Sequence, residues 1–303
     1  MVVPRLFSDD FPIVSSQLEL DRVIACHPRY DPYYIASGCR TDRKRKFEDL
    51  WAVYHPYADR DFLPQVKLKH NFHARTWEMY LGAVLRAHSF ELALASARSA
   101  RGPDLQVISP TAIWIEAVTA SAGDGLDKVP ALVFGVSKHP EDQLLLRLRN
   151  SIAEKVTKYC GYLRDGVVQA DAPYVIAVNS GGIGHPEDDS MPLMVKCAFG
   201  IGHLAIPLVR EAGEKPFRLS RSSVMKRSGE AVSLGFFADE TLAPVSAAIY
   251  SCRDVLNHPA TIGDDCIVIH NPLALNPLPD DLFAFFGQWR LDGELLRRIP
   301  SRA

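Results

Sequence analysis

Apolar and polar residues recur along this chain with two different periods, and the clearest change between them falls within residues 72–118. Over 74–88, Trp77, Leu81, Val84 and Leu85 recur at three- and four-residue intervals, which predicts a helix with one buried stripe. The period then shortens: 90–98, 105–109 and 112–118 read as strands, with Ser109, Pro110 and Thr111 as the turn between the last two. A longer helix is predicted over 141–163, where Leu145, Leu148, Ile152, Val156, Tyr159 and Leu163 share one face. Its acids lead and its bases follow, as the helix dipole favours. The stretch 174–182, YVIAVNSGG, reads as a buried strand running into a glycine loop.

Outside this stretch the pattern is thinner. Phe47, Leu50, Trp51 and Tyr54 recur at helical spacing, and 54–72 reads as a connection. Residues 131–137 read as a short strand or a segment leading into a helix. Residues 191–209 are apolar but broken by glycine and proline. Beyond them 244–252 and 264–272 read as strands and 280–289 as a short amphipathic helix. The expectation is an α/β fold, a mixed central sheet flanked by the two helices. An N-terminal extension (1–71) would precede a core (72–190), with a C-terminal α/β portion (191–303) packed on it.

Within this frame Glu116 stands out. Ile113, Ile115 and Ala117 share one face of their strand, and Trp114, Glu116 and Val118 the other. A carboxylate in so apolar a run needs a partner, a metal or a raised pKa. Glu78 lies beside the stripe of its helix, roughly 60° from Leu81 at the α-helical period. An acid at the edge of a buried face can point into a cleft, but on helix geometry alone it reads first as a surface residue.

Composition narrows the picture. A net charge of −2 excludes a uniformly basic nucleic-acid binder but leaves a local patch open. Arg40, Arg43, Lys44, Arg45 and Lys46 form one such run. It reads first as the solvated start of a helix and second as a phosphate contact. Arg218, Arg221, Lys226 and Arg227 read likewise as surface. The cysteines show no CxxC pair, and His73, His88, His185, His203, His258 and His270 share no spacing that marks a metal site or a triad. The Ser180–Gly184 loop lacks the phosphate-binding fingerprints, and no GxSxG elbow occurs. Without a leader-like start or a long apolar run, a reduced, cytoplasmic protein with no membrane span is expected.

Pro103-Asp104, a hairpin-length gap and then Ile113-Trp114-Ile115-Glu116-Ala117-Val118 resemble the core of the PD-(D/E)XK nuclease superfamily, the restriction-endonuclease-like fold. RTWEMYLGAVL before that core, IAEKVTKY and PYVIAV after it, and IHNPLALNPLP near the end resemble a group of uncharacterised bacterial proteins assigned to the same superfamily. The resemblance implies hydrolysis of DNA phosphodiester bonds with Mg²⁺, for which Mn²⁺ can substitute, in restriction, defence or repair. Asp104 and Glu116 would hold the metal, with the Ala117 carbonyl as a third oxygen and Glu78 assisting. The family's lysine position, two residues beyond the acid, holds Val118. In some branches the amine comes from the following helix, which points to Lys155, roughly 60° from Ile152 on that helix. Lys158 lies further round and reads as solvated. Lys155 and Tyr159 also resemble a QxxxY element of exonuclease branches, with Tyr159 supporting the cleft.

Val118 supports an alternative reading, a catalytically silent nuclease-like domain that binds nucleic acid or a protein partner. DNA against RNA, endonuclease against exonuclease, homo-oligomerisation and the identity of any protein partner stay open at this level.

Overall fold

Five helices come first and enclose the last of them. In the computed structural model, which describes residues 3–99, 101–133, 135–136, 138–187, 190–206, 216–254 and 256–302, these are α1 (Gln17–Cys26), α2 (Pro32–Gly38), α3 (Thr41–Tyr54), α4 (Phe62–Val66) and α5 (Phe72–Ala87). Ser16 and Glu19 form a capping box at the start of α1. Asp31 caps α2, and Pro32 opens it.

Every residue of α5 from Thr76 to Leu85 is buried. A surface helix hides one stripe; this one is covered on all sides, by the sheet within and by α3 and α4 without. Gly82 makes that closeness possible, because a Cβ there would lie 2.4 Å from the Tyr54 ring.

The chain then forms β1 (Glu91–Leu92), β2 (Leu105–Ser109) and β3 (Ile113–Thr119), crosses through α6 (Glu141–Arg164), and returns as β4 (Tyr174–Asn179). A short helix α7 (Leu193–Phe199) leads to two small antiparallel pairs. These are β5 (Ile201–Ala205) with β6 (Phe217–Ser220), and β7 (Ser223–Met225) with β8 (Ala231–Ser233). The last strands are β9 (Ala247–Ser251), β10 (Ile267–His270), β11 (Gly287–Asp292) and β12 (Leu295–Ile299).

Eight of these strands make one mixed sheet in the order β1-β2-β3-β4-β9-β10-β11-β12. The β1–β2 and β2–β3 pairs are antiparallel, and β3–β4 and β4–β9 are parallel. Apolar cores lie on both faces. Ile113, Ile115 and Ala117 of β3 join Trp77 and Leu81 on the α5 side, while Trp114 and Val118 join Leu145, Leu148 and Ile152 on the α6 side. The central strands β4 and β9 are buried throughout, as two covered faces require.

The structure departs from the sequence expectations in several places. Of 90–98 only Glu91–Leu92 is a strand, and Ala95–Ala97 is a 3₁₀ turn. Residues 280–286 form turns rather than a helix, and Gly287 begins β11. Aromatic packing holds that turn: Phe283 stacks on Phe90 and lies against Phe286. The connection over 54–72 contains α4. Of 131–137, Phe134 and Ser137 lie outside the described residues, and the others have no regular structure. Pro207–Val209 of the apolar stretch also lie outside them.

Candidate active site

Register brings the two strand acids together. Leu105 of β2 pairs with Ile115 of β3, so Asp104, one residue earlier, lies across from Glu116, one residue later. Opposed residues of an antiparallel pair project to the same face. Asp104 Oδ2 accepts from the Ala117 backbone N–H at 2.8 Å, which fastens the strand entrance to β3. Arg98 holds the loop before it, donating from Nη1 to the carbonyls of Pro103 (3.1 Å) and Asp104 and from Nη2 to that of Tyr57 (2.6 Å).

Glu116 is fully buried on the α6 face. Its Oε1 accepts from Lys155 Nζ at 2.8 Å and from Lys158 Nζ at 2.6 Å; its Oε2 accepts from the Tyr162 hydroxyl at 3.2 Å. Lys155, Lys158 and Tyr162 are spaced three and four residues apart on α6, one stripe along its flank. Lys155 therefore stands where the sequence expectation put it. Lys158 does not: its stem runs over the Tyr162 ring, 5.6 Å from amine to centroid, and its amine reaches the buried acid although half the side chain stays exposed. Glu116 holds the Lys158 amine above its ordinary pKa against the opposing effect of burial.

Tyr159 is the residue expected to support the cleft. It is buried against the sheet, its ring 3.9 Å from that of Tyr174, and the hydroxyl that reaches Glu116 is Tyr162's. The acid facing Tyr162 adds to burial in pushing that phenol's pKa up.

Glu78 is buried on α5, contrary to the surface position expected from its helical angle. The Tyr54 hydroxyl of α3 donates to its Oε1, and Arg75 Nη1 donates to its Oε2 at 2.9 Å while also meeting Asp59. Burial, and then the charge of Asp104, push the Glu78 pKa up to about 8, against the pull of Arg75. Burial, and then the charge of Glu116, push Asp104 up to about 6, with Lys155 pulling the other way. The three acids thus form a mutually repelling series with Asp104 in the middle. Displacements such as those of Glu78 and Asp104 are a recurring mark of functional sites.

A cleft of about 760 Å³ opens onto two of these acids, lined by Glu78, Asp104 and Lys158 within and by Arg60, Arg75 and Arg98 around it; Glu116 is buried behind Asp104 and, like Lys155, does not line it. Asp59 and Asp61 also line it, so its charge is mixed rather than uniformly basic.

Among the described residues no group of three or more His, Cys, Asp and Glu is gathered so as to hold a metal ion. The acids present are nonetheless hard oxygen donors, the set Mg²⁺ takes, and one or two carboxylates suffice for that ion. Asp104 keeps one oxygen free of hydrogen bonds among the described residues, whereas both oxygens of Glu116 and of Glu78 are engaged. The pair Asp104 and Glu116 therefore fits the ion chemically, provided Glu116 exchanges an amine for it.

Sequence reasoning missed Lys158, Tyr162, Tyr54 and Arg98. For the first two the α6 spacing was a readable signal. For Tyr54 and Arg98 there was none: Tyr54 acts on a residue 24 positions away, and Arg98 on backbone carbonyls, which no side-chain pattern marks. Compared with known proteins, the chain matches no family model, no curated protein and no solved structure. The functional reading rests on this geometry.

Proposed function

We propose that the chain is a metal-dependent nuclease of the restriction-endonuclease-like kind, acting on DNA. The observation that carries the reading is the Lys155 amine, 2.8 Å from Glu116, which offers from α6 the positive charge that Val118 lacks. The order of elements supports it: a helix bearing an acid, an antiparallel run of three strands bearing two more, then a helix and a parallel strand.

In this reading Asp104 and Glu116 hold Mg²⁺ or Mn²⁺, with Glu78 assisting from α5. When bound, the ion supplies charge neutralisation at the phosphate and a more acidic water. Lys155 orients the attacking water and stabilises negative charge developing on the phosphoryl oxygens. Lys158 and Arg98 draw the phosphate into the cleft. The raised pKa values of Glu78 and Asp104 reflect burial first and then repulsion between neighbouring acids, which a divalent cation would relieve.

One observation favours a second reading, a silent nuclease-like domain that binds a partner: both oxygens of Glu116 are already satisfied from α6. Cleavage of plasmid and of linear single- and double-stranded DNA with Mg²⁺ or Mn²⁺, beside Glu116→Ala and Lys155→Ala, separates the two. Metal-dependent cutting lost in both variants is expected. Cutting that survives Glu116→Ala, or a parent protein that neither cuts nor binds the ion by calorimetry, overturns the enzyme.

A further inference from the structure

A second cleft, of about 1010 Å³, lies between α3, the C-terminal half of α5 and the loop 256–262. It shares no lining residue with the acidic cleft. Arg43, Arg45, Lys46 and Arg86 line it against Asp42 and Asp49, four cations and two acids, a surplus of two positive charges. Arg86 is engaged with the Phe90 carbonyl at 2.8 Å, and Lys46 donates to the His258 carbonyl at 3.1 Å. The side chains of Arg43 and Arg45 make no hydrogen bond or ion pair among the described residues. Apolar side chains, among them Leu50, Val53 and Ile262, complete the lining.

The wall contributed by the loop is built. His258 also lines the cleft and is more than nine-tenths buried, and its Nδ1, 3.6 Å from Asp265, has no hydrogen-bond partner. Its ring is stacked on Tyr80 at 3.6 Å, and Asp265 accepts in turn from the hydroxyls of Ser251 (2.5 Å) and Tyr80. Tyr80 also accepts from the Gly263 N–H at 2.8 Å, so α5, β9 and the loop are locked together behind the cleft.

We propose that this cleft binds a small phosphorylated ligand whose remainder is apolar, its phosphate held by Arg43, Arg45 and Lys46 and its apolar part lying on Leu50, Val53 and Ile262. Two unpaired guanidinium groups suit the bidentate recognition of phosphate, and a surplus of two charges matches a phosphomonoester dianion. The size suits a small molecule, for which clefts of about 300–1,000 Å³ are usual, and the lining divides between charged groups and an apolar patch. Nucleic acid fits less well. Asp42 and Asp49 interrupt any extended track of cations, and the Tyr80 ring is covered by His258 rather than offered to a base.

The test is calorimetric titration of the full chain with 1-naphthyl phosphate, inorganic phosphate and 1-naphthol. The naphthyl phosphate is expected to bind at least about tenfold more tightly than either fragment, because it alone uses both halves of the cleft. The double variant Arg43→Ala/Arg45→Ala and the cleft-filling Ala87→Trp are each expected to weaken it about tenfold or more, with unchanged unfolding temperature. Arg60→Ala, on the rim of the acidic cleft, is expected to leave it unchanged. Naphthyl phosphate binding no better than phosphate alone, indifference to both cleft variants, or loss in Arg60→Ala would each overturn the proposal, the last by placing the phosphate in the acidic cleft.

Discussion

Replacing Glu78 with glutamine isolates the electrostatic state of the acidic series. The amide keeps the shape of the protonated acid, its carbonyl can accept from Arg75, and its NH₂ can donate to the Tyr54 hydroxyl oxygen. In the folded protein Glu78 keeps its proton up to about 8, whereas its ordinary value is 4.5. Between those values the folded chain binds more protons than the unfolded one, so its stability falls as pH rises through the window. Each pH unit within it costs about 1.4 kcal/mol, which accumulates to an upper limit of about 4 kcal/mol between pH of about 5 and about 9. Glu78→Gln has no such group to ionise. Relative to the parent it should gain that stability on going to high pH, while Asp104 and every other titrating group cancel in the comparison. With about 2.1 cal/mol/K of unfolding entropy per residue over 303 residues, the gap in melting temperature should widen by about 6 °C. Melting followed by circular dichroism across that range measures it. Parallel pH profiles for parent and variant would refute the argument, because Glu78 would then be ionised in the fold and fully compensated by Arg75.

Three further outcomes are expected. Lys155→Met, which leaves the buried Glu116 with Lys158 and Tyr162 alone, should lower stability by about 2–3 kcal/mol in urea denaturation. Adding Glu116→Gln to it should recover part of that loss, and strictly additive effects would deny the pair its coupling. Tyr162→Phe should cost about 1 kcal/mol through the hydrogen bond lost to Glu116 and should slow DNA cleavage, whereas Tyr159→Phe should leave cleavage unchanged; the reverse order of effects would restore the role to Tyr159. Gly82→Ala drives a methyl group into the Tyr54 ring and should cost about 1–3 kcal/mol, read as a lowered urea midpoint. An unperturbed midpoint would show that Tyr54 can yield without loss.

Much of the local structure around the site follows from residue order alone. The stripe of Trp77, Leu81, Val84 and Leu85 specifies the inner face of α5, and the alternation from Ile113 to Val118 divides β3 between the two cores as observed. Asp104 and Glu116 meet because the short β2–β3 turn fixes the register, and a period of two leaves no other choice of face. Lys155 follows from the helical period of α6. These signals are local: each needs only the spacing of neighbours along one element.

What the tertiary structure alone decided is the burial of Glu78, the reach of Lys158, the exchange of Tyr159 for Tyr162, and the cleft beneath the basic run at Arg43–Lys46. A helical angle says which side chains share a face, but not whether a second layer covers the opposite one. Here α3 does, through Tyr54 packed on Gly82, and an acid otherwise exposed becomes buried with a raised pKa. The strands after β4 show the same limit. Glycine and proline blur the pattern there, and aromatic contacts between segments far apart in sequence, such as Phe90 with Phe283, hold turns where local spacing suggests a helix. Residue order sets the direction in which each side chain leaves its element. Only the packing of elements decides what it meets, because burial and charge act through space between residues that the chain keeps far apart.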